Sequence, residues 1–108
     1  MKKSFAFIIK REPNSYMKTG WGNGYVAVPQ GHPWFGKHYD SIQADVHGGL
    51  TYSNKGGKGF GPSDTTDMWV VGFDTAHFND TISSWPEEKV QEEADDLLAQ
   101  ANKAEIIN

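Results

Sequence analysis

The sequence predicts an α+β domain: a small, mainly antiparallel sheet of about four strands, joined by long glycine-rich loops, with one C-terminal amphipathic helix packed on one face. Three observations predict it. Short apolar or β-branched runs bounded by Gly and Pro occupy the first two thirds of the chain. All 12 glycines fall between Gly20 and Gly72. Apolar residues recur at helical spacing only after Pro86. A chain of 108 residues supports one hydrophobic core and not two, so residues 1–108 are expected to form a single compact domain.

The first strand is expected over Ser4–Lys10. Its apolar part, Phe5 to Ile9, follows two lysines but stops at Lys10 and Arg11. That is shorter than the roughly 7–15 residues of a secretion-signal core and the roughly 20 of a membrane span. A soluble cytoplasmic protein with no membrane partner is therefore expected. Glu12-Pro13-Asn14-Ser15 breaks regular structure, and Gly20-Trp21-Gly22-Asn23-Gly24 leads into a second strand, Tyr25–Val28, stopped by Pro29. Gln30 to Ser41 reads as a loop in which the aromatics pack or bind something.

A third strand is expected over Ala44–Ser53. Alternation there puts Val46, Gly48, Leu50 and Tyr52 on one face and Asp45, His47, Gly49 and Thr51 on the other. Asn54 to Asp67, with Gly56-Gly57-Lys58-Gly59-Phe60-Gly61-Pro62 at its centre, reads as a mobile loop. Met68–Phe73 is apolar enough for a central strand buried on both faces. Ser84-Trp85-Pro86-Glu87 has the spacing of a capping box, and Val90, Ala94, Leu97, Leu98 and Ala101 follow as a stripe, which predicts a helix over about Pro86–Lys103.

Charge narrows the function classes. Ser84 to Lys103 carries six acids and two lysines, so the net charge of −4 sits in that segment while the remainder is balanced. No basic face is available to displace counterions from phosphates, which argues against a polymeric nucleic-acid partner. A small anion needs fewer donors, and Lys37, Lys55, Lys58 and backbone amides are in supply. The absence of cysteine removes disulfides, thiolate catalysis and thiolate-held metals. Any metal would need His, Asp or Glu; no metal-ligand set or cofactor is assigned from spacing.

Two segments stand out as site candidates: Val46-His47-Gly48-Gly49-Leu50-Thr51-Tyr52-Ser53 and Trp69-Val70-Val71-Gly72-Phe73-Asp74-Thr75-Ala76-His77. Each sets a histidine, able to ligate, hydrogen-bond or move protons, near glycine that lets a ligand approach the backbone. His47, Gly48, Gly49, Thr51, Asp74 and His77 are the polar candidates, and Tyr25, Trp34 and Phe60 the aromatic ones. The competing interpretations are structural: Gly48-Gly49 as a β-bulge, the histidines as backbone hydrogen-bonders, and the aromatics as core. His32, before Pro33, is placed in a turn and His38 at the rim. Gly56–Gly61 lacks the spacing and terminal Lys-Ser/Thr of a P-loop.

Gly24-Tyr25-Val26-Ala27-Val28-Pro29, Gly31-His32-Pro33, Val46 to Ser53, and Gly72-Phe73-Asp74-Thr75-Ala76-His77 followed by Asp80 form an ordered set. Over residues 20 to 82 it resembles small uncharacterised proteins encoded by bacteriophages and prophages. The resemblance implies a viral origin and action in a host bacterial cytoplasm, without supplying catalytic assignments.

Three functional expectations follow. The first, favoured over catalysis, is a small-molecule-binding protein that sequesters a polar, nucleotide-like ligand such as a host defence signal. Its 14 aromatics offer stacking surfaces, each worth roughly 1–3 kcal/mol to a bound base. The second is a hydrolase or phosphodiesterase using His47, His77 and Asp74 for proton transfer or as metal ligands. The third is an inhibitor of a host protein that binds through Trp34, Phe35 and nearby loop residues. An exposed edge strand also offers a route to a homo-oligomer.

Overall fold

Four antiparallel strands and one helix make up a computed structural model that describes residues 3–12, 19–61 and 64–106. The strands are β1 (Phe5–Lys10), β2 (Gly22–Val28), β3 (Tyr52–Lys55) and β4 (Trp69–Phe73), in sheet order β1-β2-β4-β3, and the helix α1 spans Glu87–Ile106. This is the expected α+β architecture. Most of the expected break at Glu12–Ser15 lies outside the described residues, as do Pro62 and Ser63. No helix among the described residues is long and apolar enough to cross a membrane.

Register explains the two cores. Phe7 pairs with Tyr25, Tyr25 with Gly72, and Gly72 with Tyr52, so these positions share one face; Ala6, Val26 and Val71 share the other. The second face receives α1 through Val90, Ala94, Leu97 and Ala101, all fully buried against Val26, Val28, Val71 and Phe73. Burying Leu97 alone contributes roughly 1.5–3 kcal/mol. The first face carries an aromatic cluster of Phe5, Phe7, Tyr25, Tyr52 and Phe60 with Met68. Gly72 makes this cluster possible, because a side chain at that position would run into the Tyr25 ring.

β4 is central and buried, as its sequence predicts, but the third strand differs. Instead of Ala44–Ser53, the strand is Tyr52–Lys55, and residues 44–51 form a loop. The physical reason is Gly48 and Gly49, whose φ values of +71° and +81° are left-handed and incompatible with extended pairing. The Val46–Gly49 segment closes instead as a β-turn through Gly49 N–H to the Val46 carbonyl, 2.9 Å.

The helix start also differs from the capping box. The Ser84 hydroxyl bonds within a Thr81–Ser84 turn, and the Pro86 carbonyl accepts the first helical bond from Val90 N–H, 3.1 Å. The helix continues past Lys103 to Ile106 because no glycine or proline stops it.

Candidate functional site

α1 positions His47 by holding the preceding loop at two points. Gln100 accepts from Asp45 N–H and donates to the Asp45 carbonyl, both at 2.7 Å, and Glu93 accepts from His47 N–H at 2.6 Å. Glu93 and Gln100 are seven residues apart, two turns along one helix face. Val46, between these anchors, is buried in the helix-side core. His47 is thereby directed at the end of the sheet where β4 exits.

That exit is a second constrained loop. Buried Thr75 donates through its hydroxyl to the Gly22 carbonyl at 2.6 Å, and its own carbonyl accepts from Gly20 N–H at 2.7 Å. Asp80 N–H then bonds the His77 carbonyl at 2.9 Å, closing a β-turn whose third residue, Asn79, has φ +75°. Asparagine tolerates that conformation better than most side chains. Phe78, at the turn's second position, is 94% exposed.

The two loops meet at Asp80. Its carboxylate contacts His47 Nε2 at 2.8 Å through one oxygen; the other oxygen contacts His77 Nδ1 at 3.1 Å and accepts from His77 N–H at 2.8 Å. Asp80 is 4% exposed, whereas the side chains of His47 and His77 are 25% and 33% exposed. His77 Nε2 faces Asp74 Oδ1 at 3.4 Å. The histidine rings stand edge to face with centroids 5.2 Å apart, and His47 also lies against Trp85 at 4.1 Å. Lys89 sits over the Trp85 ring, 5.2 Å from its centroid.

Burial pushes the Asp80 carboxyl pKa up. The His77 N–H, the hydrogen bond and charge of His47, and the His77 ring together outweigh that effect and hold it below the ordinary carboxylate range. An ionised, buried carboxylate fixes which nitrogen each imidazole turns inward. The cluster therefore has parts for orienting a proton-transferring histidine. One donor atom each from His47, His77 and Asp80 also lie within 4.8 Å of one another, the composition of a metal-binding set.

Of the polar candidates, His47, His77 and Asp74 come together, and Gly48 lies directly against the His77 ring. Gly49 is in the same turn with open space above it, while Thr51 leaves the cluster to pair its N–H with the Gly72 carbonyl at 2.9 Å. The aromatic candidates lie elsewhere. Tyr25 and Phe60 are in the cluster on the sheet face opposite α1, and Trp34 is buried in the helix-side core against His32. His32 is structural: Nδ1 accepts from Trp34 N–H and Nε2 meets the Ala101 carbonyl, both at 2.9 Å.

Sequence reasoning left Asp80, Trp85 and Glu93 out of the site. The signal for Asp80 is the turn-forming Asn79-Asp80 pair just after His77. Trp85 and Glu93 carry no comparable signal, since one reads as a helix start and the other as solvated acid. A cleft of about 530 Å³, lined by Lys3, Ser4, Gln30, His32, Asn102 and Glu105 among others, shares no lining residue with this cluster. Comparison of the chain with protein-family models, curated proteins and solved structures returned no match.

Proposed function

We propose that the protein binds a small polar, nucleotide-like ligand at the His47, His77 and Asp80 cluster. On the resemblance to phage and prophage proteins, that ligand is a nucleotide-derived host defence signal, held out of circulation in the bacterial cytoplasm. One observation carries the reading: two imidazoles from separate loops share one buried carboxylate while keeping a quarter to a third of their own surface open. Phe78, next in sequence to His77 and 94% exposed, offers apolar surface to the rest of such a ligand.

Native mass spectrometry of protein purified from a bacterial host, followed by denaturation, tests the proposal. The expected result is one small ligand per chain, released chemically intact from wild type and missing from His47→Ala and His77→Ala. An empty wild-type protein that also fails to retain added nucleotides would overturn it.

A second reading is favoured by the contact between Asp80 and His47 Nε2. It orients the ring and leaves Nδ1 outside that contact, the arrangement of a general base held by a carboxylate. Hydrolysis of a phosphodiester ligand would then show repeated turnover, lost in His47→Ala. Recovery of unchanged ligand after prolonged incubation decides for capture.

A further inference from the structure

We propose that His47, His77 and Asp80 form a three-ligand site for a divalent transition-metal ion of the zinc class, with Asp74 orienting His77 from behind. The inference deepens the ligand-binding reading, because it names the cation that would meet an anionic ligand there. The nitrogens that would bind are those already turned toward the Asp80 carboxylate, Nε2 of His47 at 2.8 Å and Nδ1 of His77 at 3.1 Å. With metal–ligand bonds of about 2.0–2.2 Å, two ligands on one tetrahedral ion stand about 3.3–3.5 Å apart, so small movements open room for the ion.

Three further features point the same way. His77 Nε2 lies within ion-pair distance of Asp74 Oδ1, 3.4 Å, an oxygen that also accepts from Ala76 N–H, and a carboxylate close behind a ligating imidazole is the usual supporting partner in metal sites. The His47 ring is held against Trp85 and its backbone N–H by Glu93, so its direction is set before any ion arrives. The local charge balance favours a cation: Asp74, Asp80 and Glu93 contact the two histidines, and Lys89 is drawn to the Trp85 ring.

Ligand type selects among metals. Two imidazoles and one carboxylate suit zinc, cobalt or nickel, whereas magnesium and calcium prefer oxygen throughout. Three protein ligands with partly exposed rings leave a fourth position for water or for an oxygen of the bound molecule.

The test is titration of chelator-treated full-length protein with zinc chloride by calorimetry, without any nucleotide, alongside cobalt chloride followed by absorbance. One zinc per chain is expected, together with a cobalt d–d band of tetrahedral intensity. His77→Ala should weaken zinc at least 100-fold, Asp74→Asn about 10–100-fold, and the rim substitution His38→Ala should change nothing. Circular dichroism of each variant checks folding, and the cobalt band of wild type answers even where a variant fails to fold.

The proposal is overturned if wild type takes up no stoichiometric zinc and shows no cobalt band, or if folded His77→Ala binds zinc as wild type does. The two proposals separate cleanly. Ligand retained by metal-free protein leaves capture standing without a metal, and stoichiometric zinc on a protein that retains no nucleotide does the reverse.

Discussion

His47 and His77 stand edge to face, 5.2 Å apart, because both turn a nitrogen to opposite oxygens of Asp80. A single buried carboxylate thus joins the loop before β3 to the loop after β4. Asp80→Asn keeps the shape but loses the charge, and should lower stability of metal-free protein by about 2–3 kcal/mol near neutral pH.

The pH dependence has a defined sign. The folded pKa of Asp80 lies below its unfolded value of about 3.9, so its contribution is complete well above that value and is lost as pH falls through the lower folded one. Urea midpoints of wild type and Asp80→Asn should therefore converge below about pH 4. A gap that stays constant down to the acid limit would show that the charge of Asp80 contributes nothing.

Gly48 and Gly49 separate steric contact from backbone conformation. Both have left-handed φ, but only at Gly48 would a methyl group enter the His77 ring; Gly49 faces open space. Gly49→Ala should cost about 1–2 kcal/mol from the backbone alone, and Gly48→Ala about 2–4 kcal/mol because overlap is added. The substitutions should also differ at the site. Imidazole NMR shifts of His77 are expected to move in Gly48→Ala and to remain in place in Gly49→Ala.

His32 and His47 differ in burial and in partners: the first is 5% exposed and bonded to backbone alone, the second partly exposed and bonded to a carboxylate. His32, buried, ties Trp34 N–H to the Ala101 carbonyl of α1, so His32→Ala strands a buried donor and opens a void. It should cost about 2–4 kcal/mol. His47→Ala leaves Asp80 its bonds from His77 and should cost about 1–2 kcal/mol. Denaturant unfolding of the two variants checks the order, and His47→Ala should be the one that loses ligand.

The legible parts of this fold are those governed by side-chain pattern. The apolar runs of β1, β2 and β4 and the stripe of Val90, Ala94, Leu97 and Ala101 declare their elements, since burial alone decides them. Residues 44–51 misled because Val46, Leu50 and Tyr52 alternate as a strand would, while alternation carries no information about the φ of Gly48 and Gly49. The site was half legible for the same reason. Glycine neighbours mark His47 and His77, but Asp80 reaches them only through the turn at Asn79, and Glu93 only because a helix face that reads as solvated is covered by a loop. Tyr25, Trp34 and Phe60 show the converse: aromatic content predicts stacking surface without telling whether the chain itself uses it.

Phe60 shows where that surface goes. Its ring stacks on Tyr52 at 5.6 Å and meets Tyr25 edge-on at 5.3 Å, fastening the glycine-rich connection to the sheet face away from α1. Phe60→Ala should cost about 1–2 kcal/mol, less than a full core deletion because the ring is half-buried. Ligand retention at His47 should be unchanged. Tyr52 adds an alkaline signature. Burial, with Tyr25 nearby, raises its pKa against the opposing hydrogen bond from Asn54. A raised folded pKa means its contribution is whole below the unfolded value of about 10 and disappears as pH climbs through the folded one. Tyr52→Phe has no proton to lose there, so its urea midpoint should fall less than that of wild type between pH 8 and about 11. Equal declines in the two proteins would mean that ionised Tyr52 is tolerated in the aromatic cluster as well as in the unfolded chain.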